Sequence, residues 1–200
     1  MATRQTNPDR VIQFSDGVFA MLITILVLQL GPPKAASLSA LLPLWPTGLT
    51  YLVSYVFIAI VWVNHHQLFS YAEEVTPRLV WSNFAHLFSA SLIPFTTEWI
   101  ADSRLAADPV ALYAAVFVLV NITHVALYWE AVDRPAHEDV SQLIGRMLRM
   151  RSVITIGVFT AAALVALKWP VAGMVLICSC LAGFLRPDIQ ATKTVGTKEH

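Results

Sequence analysis

The chain has 200 residues, 56% of them hydrophobic and 13% charged, with a mean hydropathy of +0.63. Soluble domains run nearer about 45–50% apolar and about 25% charged, so an ordinary water-soluble domain is excluded and a membrane protein is expected. The 13 Lys+Arg balance 13 Asp+Glu, which leaves no electrostatic argument for a nucleic-acid partner. Cys178 and Cys180, the only cysteines, stand two residues apart and point to different faces of a helix, so neither a disulfide framework nor a redox or zinc motif is available.

Crossing a bilayer core of about 30 Å takes about 20 apolar helical residues. The first such run is Val11 to Leu30, interrupted only by Asp16 and ended by Gly31-Pro32-Pro33, because proline lacks the N–H that a continuing helix needs. The N-terminus lacks a small-residue cleavage site, so this run reads as a retained helix rather than a signal peptide. A second run, Leu49 to Tyr71, carries His65 and His66 but no formal charge. The third, Leu79 to about Thr97, holds Asn83 and His86 and is expected to bend at Pro94. A fourth, Val110 to Trp129, begins after Pro109 and contains Asn121, Thr123 and His124.

The last apolar region, Ser152 to Leu185, has Lys168-Trp169-Pro170 in its middle and is too long for one upright span. The distribution of Lys and Arg decides between one span and two. Six spans put 10 of the 13 basic residues on the side of the N-terminus, leaving Lys34, Arg104 and Lys168 outside. Five spans split them 7 against 5 and strand Lys168 at mid-membrane. The expectation is therefore an all-α polytopic protein of six spans over residues 1–186, with both termini cytoplasmic and a disordered tail over 187–200. Residues 135–151 read as a cytoplasmic amphipathic helix or helical extension. Trp45, Trp81, Trp99, Trp129 and Trp169 fall at the ends of runs, where an aromatic belt belongs.

In this orientation Asp16 lies about 9 Å beyond Arg10, and His65, His66, Asn83, His86, Asn121 and His124 fall at a similar depth on three other helices. Two readings of this inner-leaflet layer stand. One is a hydrogen-bonded network that fixes helix register, since buried polar groups must be satisfied. The other is a proton relay through Asp16 and the histidines. Helical spacing places Arg10, Phe14, Gly17, Met21, Thr24, Ile25 and Leu28 on one stripe of the first helix. Asp16 falls about 140° from Met21 and faces neighbouring helices, which favours the network.

Arg10, Phe14, Ser15 and Asp16 form the pattern R-x-x-x-F-S-D, followed by the apolar run G-V-F-A-M-L-I-T-I-L-V-L. Through this pattern the chain resembles bacterial members of the transmembrane protein 175 family of potassium channels. The resemblance implies a homotetramer of six-helix subunits in the cell membrane, with four copies of the first helix around a pore and no P-loop; no T-V-G-Y-G filter is present. By position in the motif, the family's narrow apolar ring falls on Met21, where the family usually has Ile or Leu. The next pore-lining positions fall on Thr24, Ile25 and Leu28, already members of the stripe. Arg10, Phe14, Ser15, Asp16, His65 and Asn83 correspond to a structural network beneath the pore.

The mechanism so implied is a constriction of four Met21 side chains, with Thr24 hydroxyls replacing part of the water shell of a K⁺ ion passing close to both residues. K⁺ is the permeant ion rather than a cofactor, and the partners are further copies of the chain and the bilayer. The rival is a proton-coupled secondary transporter or proton leak using Asp16 and the histidines; an inverted repeat would favour it, but the motif occurs once. An enzyme is not expected, since no H-E-x-x-H or G-x-S-x-G motif is present.

Overall fold

A computed structural model describes residues 8–33, 35–70, 72, 75–133 and 141–185. Helix α1 spans Pro8–Leu28, with Asp9 in its first turn, where a carboxylate complements the helix dipole. A short 3-10 helix, Leu38–Leu44, leads into α2, Trp45–Phe69, which carries proline in its first turn, where the missing N–H has no cost. Helix α3, Pro77–Ser91, is capped by Thr76, whose hydroxyl accepts from the Leu79 N–H at 3.2 Å. Helix α4 follows at once, over Ile93–Ser103.

Helices α3 and α4 are the two halves of one bent span. Pro94 has no N–H to offer the Ala90 carbonyl, and its ring displaces the preceding turn, so the break falls at Leu92, before the proline itself. The span then runs on to Ser103, six residues past the Thr97 expected from hydropathy alone. Arg104 (φ 51°) and Leu105 (φ 64°) occupy the left-handed region and turn the chain into α5, Ala107–Tyr128, which continues as a π turn over Trp129–Asp133. Helix α6 covers Ser141–Ala166 and α7 covers Pro170–Leu185. The region expected to hold two spans is thus two helices, and Lys168 lies in the turn between them rather than within a span. Residues 141–151 extend α6, so the segment expected to be cytoplasmic is, over these residues, a continuation of that helix, while 135–140 and the 187–200 tail fall outside the described residues.

The helices Asp9–Leu28, Leu38–Phe69 and Ala107–Ala131 are each long and apolar enough to cross a bilayer by themselves, whereas Met150–Ala166 and Pro170–Phe184 are shorter. Helix α5 is the centre of the bundle and contacts α3, α4, α6 and α7, while α1 packs on α2, α3 and α4 at one flank. In lipid no hydrophobic force draws helices together, so packing geometry has to do so. The central seam shows it: Phe57 stacks on Phe117 with ring centroids 3.6 Å apart, and Phe159 meets both edge-on. Between α6 and α7 the backbones approach so closely that a Cβ on Gly173 would lie 2.7 Å from the Ala166 Cβ and 2.9 Å from the Ala162 carbonyl oxygen.

Candidate functional site

Helix α1 has two unlike faces. Ser15, Phe19, Leu22 and Leu26 recur at helical spacing and are buried against the rest of the subunit. On the other side Met21 is 63% exposed and Leu28 81%, and Arg10, Phe14, Gly17, Thr24 and Ile25 are exposed with them. The stripe drawn from sequence is therefore the face that one subunit leaves uncovered. Ile23, on the opposite side from Met21, is partly buried and packs against the core. The Thr24 hydroxyl donates back to the Met21 carbonyl at 2.7 Å, which leaves its oxygen lone pairs as acceptors on the open face.

Behind the stripe, three helices are joined by a short hydrogen-bond chain. The Asn83 amide donates to Ser15 Oγ at 2.9 Å, and Ser15 in turn donates to the Val11 carbonyl at 2.8 Å. The Asn83 Oδ1 pairs with His65 Nε2 at 2.8 Å; since an amide oxygen only accepts, His65 carries its proton on Nε2. Ser15, His65 and Asn83 are each at most 1% exposed. Phe19 adds an edge-on contact to the His65 ring at 5.4 Å, so α1 is held against α2 and α3 by both polar and aromatic contacts.

Asp16 does face its neighbours: the Trp62 indole N–H donates to its carboxylate at 2.8 Å. Arg10 points about 120° away from Asp16 around α1 and bonds to no other described residue. Phe14, half exposed, rests edge-on against Phe84 at 5.5 Å. Of the six residues assigned to the network, Ser15, His65 and Asn83 are joined directly, Asp16 is tied separately to α2, Phe14 touches α3, and Arg10 stands outside it.

Other contacts were not foreseen. Trp62 was missed because an indole in mid-span carries no charge to mark it. A second buried cluster joins Ser54 to Tyr113 and to Thr97, each oxygen pair 2.7 Å apart, linking α2, α4 and α5. At the Leu28 end of α1, the Gln29 amide donates to Glu98 at 3.1 Å and fastens that end to α4. His86 pairs through Nδ1 with Thr123 at 3.1 Å, and Ser89 joins the same hydroxyl at 2.8 Å. Among the described residues no three His, Cys, Asp or Glu side chains gather as a metal site.

A multi-span bundle whose first helix keeps one apolar face uncovered has the form of a membrane-protein subunit built to assemble around that face. The family model described as endosomal/lysosomal potassium channel TMEM175 matches residues 10–94. A potassium channel of Chryseobacterium sp. (strain P1-3) is 41% identical over 59% of this chain and 62% of its own length, so the aligned part spans less than two thirds of that relative. A potassium channel of Chamaesiphon minutus is 34% identical over 65% of this chain and 68% of its own length. Among solved structures, the crystal structure of a lysosomal potassium-selective channel TMEM175 homolog from Chamaesiphon minutus superposes with a TM-score of 0.78 at 26% identity, covering 88% of this chain and 95% of that one. The chain belongs to the TMEM175 family, a family of multi-pass membrane channels rather than of enzymes.

Proposed function

We propose that the chain is the subunit of a homotetrameric, potassium-permeable cation channel of the bacterial plasma membrane, with both termini cytoplasmic. Four copies of α1 line the path with Met21, Thr24, Ile25 and Leu28. The single observation that carries this reading is the division of α1: Leu22 and Leu26 are at most 4% exposed, while Met21 and Leu28, on the far side, are 63% and 81% exposed. One subunit cannot enclose a conduction path with one helix face, so closure requires copies of itself related by rotation. Relatives bearing the name potassium channel support the choice of ion.

In this assembly four Met21 side chains form the narrowest apolar ring, and Thr24 hydroxyls one turn away offer oxygen to a partly dehydrated ion. No acidic side chain lies on the stripe, so diameter and partial dehydration set the preference; K⁺ releases its water more readily than Na⁺, which gives the preference its sign. The Ser15–Asn83–His65 chain acts as scaffold, holding the rotation of α1 that keeps Met21 on the open face. Planar-bilayer recording of purified protein under a K⁺ gradient, paired with native mass spectrometry, tests the reading. Currents reversing near the K⁺ equilibrium potential from a four-subunit species are expected; a conducting monomer, or a tetramer without cation current, contradicts it.

A further inference from the structure

A small, partly open cavity of about 30 Å³ lies among α2, α3, α5, α6 and α7, on the far side of the polar layer from the Met21 stripe. Its lining includes Asn64, His86, Asn121, His124 and Thr155, an unusual concentration of polar groups for the interior of a membrane bundle. Several of these groups are turned back on the protein and use a donor there. Thr155 donates to the Arg151 carbonyl at 2.8 Å, and the Asn121 amide donates to the Phe117 carbonyl at 2.8 Å. The Thr123 hydroxyl has its own backbone acceptors at 3.0 Å, so its oxygen accepts from His86 Nδ1. That leaves His86 Nε2 a bare lone pair on a fully buried ring, and His124 Nδ1 is likewise buried without a partner. The two rings are 5.4 Å apart.

We propose that this cavity is a water-binding site, distinct from the α1 stripe, that places the buried His86–His124 pair in proton exchange with the aqueous phase at the Arg10 end of the bundle. Space for a water begins at about 10–15 Å³ by a probe-sphere measure, and a buried water needs two to four polar partners; the cavity supplies both. The lining offers amide N–H donors from Asn64 and Asn121 beside the unpartnered ring nitrogens of His86 and His124, a mixture that suits water, which donates and accepts at once and can pass a proton on. Phe184 lines the cavity and carries the Arg151 guanidinium 4.3 Å over its ring, so a charged side chain stands directly behind this part of the lining. The ionisable groups around the pair are His65 and His66 from α2, Asp16 from α1 beyond His65, and Arg151 from α6; among the described residues α7 contributes the thiols of Cys178 and Cys180 and no charged side chain. The proposal does not depend on which ion the tetramer conducts.

Radiolytic hydroxyl-radical labelling of the full-length purified protein, read residue by residue by mass spectrometry, detects side chains that touch bound water. After correction for intrinsic reactivity, His86 is expected to label about tenfold faster than Tyr113 and Phe117, which are equally buried but away from the cavity. A His124→Phe variant, which fills the cavity, is expected to bring His86 labelling down to the Tyr113 level while the protein still elutes as the wild-type oligomer. Labelling of His86 as slow as that of Tyr113 in the wild-type protein overturns the proposal without reference to any variant. Unchanged His86 labelling in a correctly assembled His124→Phe protein overturns it as well.

Discussion

Replacing Asn83 by alanine removes both hydrogen bonds that join α1, α2 and α3, at 2.9 Å to Ser15 and 2.8 Å to His65. Each interhelical hydrogen bond in a membrane contributes about 0.6–2 kcal/mol. The larger effect is on what remains: His65 is fully buried and already lacks a partner at Nδ1, so without Asn83 both ring nitrogens are unsatisfied. A buried polar group left in that state costs about 1–3 kcal/mol, and the two effects together come to about 3 kcal/mol. For a chain of this size that is a loss of about 6–12 °C in melting midpoint. Asn121→Ala is the control, because the Asn121 amide donates to the Phe117 carbonyl of its own helix and, among the described residues, joins no second helix. The assay is thermal unfolding of both variants in detergent, followed by tryptophan fluorescence and by the recovery of oligomer on size exclusion. Asn83→Ala is expected to lose at least twice as much as Asn121→Ala. Equal midpoints would refute the assignment of Asn83 as the residue joining the three helices.

Trp62→Phe removes the N–H that reaches Asp16 at 2.8 Å, and is expected to lower the yield of assembled protein while leaving reversal potentials unchanged. Asp16→Asn is expected to act in the same direction; a well-assembled Asp16→Asn protein whose transport has lost its pH dependence would instead place Asp16 in a proton relay. Gly173→Ala forces a Cβ to within 2.7 Å of the Ala166 Cβ and is expected to cost about 1–3 kcal/mol. Gly183→Ala, with nothing within 4 Å of the new Cβ, is expected to leave the melting midpoint unchanged or slightly raised, so equal midpoints for the two glycine variants would contradict the close α6–α7 contact.

The uncovered face of α1 was legible in the sequence because α1 is amphipathic within its own subunit: Phe19, Leu22 and Leu26 follow one helical line and Met21, Ile25 and Leu28 another. The shared depth of Asp16, His65 and Asn83 was read by counting residues along spans whose direction was taken from the distribution of Lys and Arg. Which polar groups meet was harder to read, since it depends on the rotation of helices such as α2 and α5 that are apolar all round and carry no periodic signal. Trp62 with Asp16, and Ser54 with Tyr113 and Thr97, belong to that class. Pro94 was expected to interrupt the third span, and the break it causes shows at Leu92, because the proline disturbs the carbonyl four residues before it rather than its own position. Arg10 was grouped with Asp16 through the R-x-x-x-F-S-D resemblance, whereas six residues of helix turn the two side chains about 120° apart.

The central claim is that the Met21 face of α1, and not its other side, meets the permeant ion. Reversal potentials under bi-ionic K⁺/Na⁺ conditions, for Met21→Ala and Ile23→Ala beside the wild-type channel, test it most directly. Shortening the exposed Met21 widens an apolar ring, so current should rise and preference for K⁺ should fall. Ile23, packed against the subunit core, should affect assembly and leave the reversal potential where it was. Unchanged selectivity in Met21→Ala, or a larger shift in Ile23→Ala, would contradict the account and assign the pore to the opposite face of the helix.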